Sequence, residues 1–393
     1  MDHKQLNHIQ EILNNAVSTQ YTAGASCLVY QRGHEQGYWE AGMADKEGGK
    51  KFSRDTICRL YSMSKPVTSA AVMMLIEEGR IDLLDDVAEF IPEFSNPKYC
   101  TNDGRIVPSA KPVTIQDLLN MTSGLTYGGN SNEAERQTTV LIENVKAGID
   151  SKNPVTTSDF VRQLGKIPLA FEPGTDYQYG LSADVLGVVV ETVSGMKLGD
   201  FFRTRIFNPL GMEDTGFYVP EEKQTRLAHV YQHTGHGELA LYTDSNLGVQ
   251  HSMKEPPAYE AGGAGLVSTI DDYMRFARML LGNGTFNGSH VLQNRTVNFM
   301  RTAHLPDGLQ QSFESKLPHL AGYTYANLLR IMTDPGLSKS FGAAGEYGWD
   351  GWLGTFMMID PSNDLAVLFF TQLTDSGTTT TVRRIKNVVY AAL

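Results

Sequence analysis

The chain reads as strands at both ends and helices in between. Strand-like pieces fall near residues 26–31, 37–41 and 57–60, and again near 226–233, 323–332, 353–359 and 365–371. The run from Met357 through Asp360-Pro361-Ser362-Asn363-Asp364 to Phe370 has the form of a hairpin of two buried strands. Between residues 81 and 214 the apolar spacing is mostly helical, with periodic stretches near 114–119, 157–164, 183–193 and 197–206. This order predicts an α/β sheet domain assembled from residues 1–80 and 215–393, with a helical domain, residues 81–214, inserted. Helices near 4–18, 269–281 and 379–392 belong to the sheet domain. A cleft between two such parts is a natural ligand site.

The 393 residues carry 33 basic and 44 acidic side chains, a net charge of −11. That balance disfavours nucleic acid and anionic membranes as partners. No stretch approaches the ~18 apolar residues of a membrane span. The start, Met1-Asp2-His3-Lys4-Gln5, lacks an apolar leader core, so a cytoplasmic protein is expected. Cys27, Cys58 and Cys100 cannot all pair and form no CxxC, which suits reduced thiols.

Within this frame, Ser62-Met63-Ser64-Lys65 carries the chemistry. A serine three residues before a lysine at a helix start puts hydroxyl and amine on one face. A lysine whose pKa is lowered by burial can take a serine's proton. The spacing recurs at Ser95/Lys98 and Ser194/Lys197, but the first enters an Asn-Pro turn and the second ends a helix at Gly195. Only Ser62 leads into a long apolar helix, with Val67, Ala70, Ala71, Met74 and Leu75 at helical spacing until Gly79.

A Ser–Lys hydrolase needs a second proton carrier and an oxyanion hole. Tyr179, after the Pro173-Gly174-Thr175 turn, suits the first task; a phenol depressed by a nearby lysine can act as a base at neutral pH. The glycine-rich run Gly345–Thr355 lets backbone approach a ligand closely, and an N–H there could join that of Ser62 in an oxyanion hole. His229, His233 and His236 have metal-like spacing without a supporting carboxylate pattern, so no metal site is expected. No Gly-x-Ser-x-Gly elbow or His-Glu-x-x-His motif is present.

In order along the chain, these segments resemble the serine β-lactamase/penicillin-binding-protein superfamily. The class C-like branch and the family VIII carboxylesterases are the most similar. The matching pieces are Ser62–Lys65, Leu118–Leu125, Pro173–Thr175 with Tyr179, Ile206–Met212, Gly262–Thr269 and Gly348–Thr355. The resemblance implies an antiparallel sheet flanked by helices, with an inserted, mostly helical domain. It also implies Ser62 as acyl-accepting nucleophile, Lys65 as proton shuttle, Tyr179 as base, and the N–H groups of Ser62 and Trp352 as oxyanion hole. No cofactor is implied.

Two departures bear on the substrate. Where relatives have Lys-Thr-Gly, this chain has Trp349-Asp350-Gly351. The missing cation would contribute roughly 1.5–3 kcal/mol toward a substrate carboxylate. Where many relatives have Tyr-x-Asn, this chain has Tyr179-Gly180-Leu181, which removes an amide partner and leaves room at Gly180. Both lean toward small neutral esters over lactams or D-alanyl peptides. A weak β-lactamase or D-amino-acid amidase and a catalytically silent binding domain are the competing readings. Tyr127, Tyr347 and Trp352 are expected walls of the pocket, with Trp349, Asp350 and Gly351. His233-Thr234-Gly235, Tyr325-Ala326-Asn327 and Ser151-Lys152-Asn153 imitate family motifs out of order and are expected to be bystanders. The sequence does not give the oligomeric state.

Overall fold

The computed structural model describes residues 1–235 and 237–393. Eight strands form one sheet in which every neighbouring pair is antiparallel. From one edge the order is Tyr323–Ala326, Leu329–Met332, Tyr347–Asp350, Phe356–Asp360, Leu365–Thr371, Gly24–Gln31, His34–Asp45 and Lys50–Lys51. The first and last thirds of the chain meet where Leu365–Thr371 pairs with Gly24–Gln31 in a ladder from Gln31↔Leu365 to Ala25↔Thr371.

Strand alternation divides the core into two layers. Ala25, Cys27, Val29, Phe356, Met358, Val367 and Phe369 face a cluster made with helices His8–Ser18 and Thr380–Ala391. Leu28, Met357, Ile359, Ala366, Leu368 and Phe370 face the main core, which includes helices Lys65–Glu77, Ser182–Ser194 and Ile270–Leu281. Residues 81–214 are mainly helical, and the same main core runs through them.

The structure adds elements to the sequence reading. Glu133–Gly148 is a helix, capped by Asn132. Asn294–Thr302 and Asp307–Lys316 are also helical. Tyr347–Asp350, within the glycine-rich run read as a close backbone approach to a ligand, is an interior strand of the sheet. Gly348 belongs in it because a Cβ there would lie 2.1 Å from Met357 O on the neighbouring strand. All three cysteines are buried and free. Among the described residues no helix is long and apolar enough to cross a membrane.

Candidate active site

The segment before Ser62 is held from three sides. Cys58–Arg59 pairs with Val267–Ser268. The Gln372 side chain accepts from Arg59 N–H at 2.9 Å and donates to Arg59 O at 3.0 Å. Leu60 N–H donates to Leu266 O at 2.8 Å, and Leu60 O accepts from Thr355 Oγ1 at 3.1 Å. Gly351 permits this approach, because a Cβ there would fall 2.2 Å from Leu60 O. Tyr61 then adopts φ 45°, a left-handed conformation that costs a non-glycine residue about 1–3 kcal/mol. Its ring packs edge-on against Trp352 at 4.9 Å. A 3₁₀ turn over Tyr61–Ser64 presents Ser62 and passes into the helix Lys65–Glu77, with Pro66 in its first turn.

Lys65 is fully buried and donates to Ser62 Oγ at 3.1 Å, Tyr127 Oη at 2.7 Å and Gly263 O at 2.8 Å. No carboxylate forms an ion pair with it among the described residues. Burial lowers its pKa to about 7, against the opposing pull of Asp184 and Asp350. At neutral pH much of this amine is unprotonated, the state a base requires.

Tyr179 sits just ahead of the Ser182–Ser194 helix, its ring 5.6 Å from Tyr127 and 5.5 Å from Trp349. The Lys65 amine lies 4.8 Å from the Tyr179 ring centre. Trp349 Nε1–H donates to Tyr179 Oη at 2.9 Å. The sequence-based expectation of a depressed phenol is corrected here. Burial raises the Tyr179 pKa, and the neighbouring Ser62 hydroxyl and the Trp349 indole N–H offset only part of that rise. Burial likewise raises Tyr127, with the neighbouring Ser62 hydroxyl the partial offset.

The remaining expected residues divide. Trp352 is half-buried beside Tyr61, its indole N–H bonded to Asp375 at 2.8 Å and its ring also beside Tyr242 at 5.6 Å. Among the described residues, neither the backbone N–H of Ser62 nor that of Trp352 donates to a backbone carbonyl or side chain, whereas Met63 N–H bonds Leu60 O and Gly351 N–H bonds Thr355 O. Trp349 is buried behind Tyr179. Asp350 accepts from Thr378 Oγ1 at 2.8 Å and lies 3.7 Å from Arg330 Nη1, so its charge is partly answered. Tyr347 lies two residues back along the strand from Trp349 and is buried in the main core. Gly180 does not open space, since a Cβ there would meet Leu125 O at 2.3 Å.

Two contributors escaped sequence reasoning. Tyr127, expected only as a wall, is the direct phenolic partner of Lys65. Asp184 is buried in the Ser182–Ser194 helix and accepts from Tyr259 Oη at 2.9 Å. A lone charge in Ser-Ala-Asp-Val-Leu-Gly-Val-Val-Val was the available signal. Among the imitations, Tyr325 lies behind Trp349, ring to ring at 5.0 Å.

A beta-lactamase family model matches residues 9–391. The chain belongs to the beta-lactamase family. Within it, the chain is 34% identical over 358 residues to Protein Rv1367c of Mycobacterium tuberculosis (strain ATCC 25618 / H37Rv), covering 89% of this chain and 86% of that protein. It is 28% identical over 388 residues to Esterase EstB of Burkholderia gladioli, covering 94% and 91%. The solved structure of EstCE1, a hydrolase with promiscuous acyltransferase activity, superposes with a TM-score of 0.83 at 27% identity, covering 99% of both chains. This beta-lactamase-family chain thus has a serine-hydrolase-like fold with esterase and acyltransferase neighbours.

Proposed function

We infer that the protein is a carboxylesterase that acts through an acyl-enzyme on Ser62 and takes small, mostly neutral esters. The observation that carries this reading is the Lys65 amine, 3.1 Å from Ser62 Oγ and brought to a pKa of about 7 with no carboxylate paired to it. Neutral Lys65 removes the Ser62 proton as Oγ attacks the ester carbonyl. The N–H groups of Ser62 and Trp352 receive the developing oxyanion. As the tetrahedral intermediate collapses, the Tyr179 hydroxyl protonates the departing alkoxide and recovers its proton from the Lys65 ammonium. Trp349 Nε1–H supports the transient phenolate. Water then attacks the acyl group with the same proton carriers reversed, which frees the acid and restores Ser62.

Preference for neutral esters rests on Trp349 at the family's lysine position. Its indole is turned to Tyr179 and offers no charge to a substrate carboxylate. The esterase names of relatives support the same class. The test is a panel of p-nitrophenyl acetate and butyrate, nitrocefin and a D-alanine amide, each with a Ser62→Ala control. Ester turnover that disappears in the control is expected. Turnover that survives Ser62→Ala removes the nucleophile, and nitrocefin cleaved faster than the esters replaces the esterase reading with a lactamase.

A further inference from the structure

A second polar cluster, away from Ser62, lies at the end of the His34–Asp45 strand. Asp45 closes that strand, Glu47 sits in the following turn, and His229 immediately precedes the Val230–His233 strand. The backbone N–H of His229 donates to Ala44 O at 2.8 Å, which fixes the residue beside the turn. His229 Nδ1 is 3.2 Å from Asp45 Oδ1 and 3.7 Å from Glu47 Oε2. One donor atom from each of the three residues falls within 4.8 Å of the others.

The nitrogen is the telling atom. It is shielded from solvent and makes no hydrogen bond. Asp45 Oδ1 is near enough for one at 3.2 Å, so that oxygen stands off the axis of the ring nitrogen. Ligand atoms around a shared cation stand in this way. Metal–ligand bonds of about 2.1 Å at a tetrahedral angle place neighbouring donors about 3.4 Å apart. The two measured separations, 3.2 and 3.7 Å, bracket that value.

Outer hydrogen bonds hold both carboxylates toward the imidazole. Gly48 N–H donates to Asp45 Oδ1 at 2.7 Å. Tyr231 Oη donates to Glu47 Oε2 at 2.7 Å while accepting from Lys46 N–H at 2.7 Å. Such partners orient metal ligands and tune their affinity. An imidazole with two carboxylates selects a first-row divalent ion over calcium or magnesium, which take oxygen donors. The spacing read in the sequence pointed elsewhere. His233 is exposed, its ring 6.0 Å from that of Tyr21, and His236 lies outside the described residues.

We propose that Asp45, Glu47 and His229 form a binding site for Zn²⁺ or a similar first-row divalent cation, with solvent completing the coordination. The ion ties the end of the sheet to the hairpin Val230–His233/Leu239–Tyr242, whose last residue packs against Trp352, itself beside Tyr61. It takes no part in ester chemistry.

The test uses full-length protein stripped with a chelator and titrated with ZnCl₂ by calorimetry and with CoCl₂ by visible absorption. One ion per chain is expected, with a rise in Tm of about 2–5 °C at saturating Zn²⁺. Intense Co²⁺ bands of a low-coordinate site are expected to accompany it. His229→Ala and Glu47→Gln are each expected to weaken binding by roughly tenfold or more and to abolish the Tm rise. Far-UV circular dichroism of the stripped protein serves as the check that each variant is folded. Absence of saturable binding overturns the proposal and leaves an ordinary imidazole–carboxylate contact. Binding that persists unchanged in both variants also overturns it and moves the ion to other side chains.

Discussion

Two lysines are buried among the described residues, and their surroundings differ. Lys65 and Lys386 are 0% and 1% exposed, and each donates to a tyrosine hydroxyl at 2.7 Å. Lys386 also meets the buried Glu346 carboxylate at 2.6 Å. Lys65 meets only a hydroxyl pair and a carbonyl. Burial lowers both amines, but Glu346 pulls Lys386 back up through contact, whereas Asp184 and Asp350 oppose the fall of Lys65 only from a distance. Burial favours the neutral form of both amines, and only Lys386 has a carboxylate in contact to favour the charged one.

The contrast is broken or upheld by exchanging the two amines for methionine. Lys65→Met is expected to lower kcat/KM for p-nitrophenyl butyrate by about 10³–10⁴-fold with little loss of Tm. Lys386→Met strands Glu346 and is expected to cost about 3–5 kcal/mol in chemical denaturation, with activity per folded molecule nearly unchanged. Equal catalytic damage from both would end the comparison. Next in size, Tyr179→Phe is expected to reduce kcat by ~100-fold with KM altered far less, since proton transfer belongs to the transition state. An unchanged kcat would take Tyr179 out of the reaction.

Smaller effects sharpen the same point through pH. In the proposed mechanism Lys65 acts as the neutral amine, which exists above its pKa. Therefore kcat/KM should rise about tenfold per pH unit below about 7 and level off above it. Asp184→Asn removes a negative charge that favours the ammonium, so the inflection is expected to move to lower pH. A stationary inflection would show that Asp184 does not act on Lys65.

How much could be read from sequence followed the range of the interaction. Ser62 and Lys65 are three residues apart, and their pairing is a property of one helical turn. The Leu365–Thr371 and Gly24–Gln31 strands announced themselves by continuous apolar runs. Glu133–Gly148 did not, because its buried face is thin: Ala134, Thr138, Leu141, Ile142 and Val145 among charged neighbours. The Tyr347–Asp350 strand was hidden by glycines that serve close strand contact as well as turning. Tyr127 reaches Lys65 across 62 residues, and His229 meets Asp45 across a far longer gap, so neither pairing leaves a local pattern. The direction of the Tyr179 shift was misread for a related reason. It depends on how many apolar atoms surround the phenol, which no motif records.

The Gln372 side chain stands in for a strand beside Arg59. Its amide exchanges two hydrogen bonds with Arg59, as an opposite residue of a β-ladder would, and so extends the sheet by one rung without any further strand. The segment that presents Ser62 is thereby indexed to the far end of the polypeptide. Glutamate at 372 would meet Arg59 O with a second acceptor in place of a donor, and the register of Ser62 would slip although nothing in the pocket had been altered. Variant libraries confined to pocket walls would overlook this position.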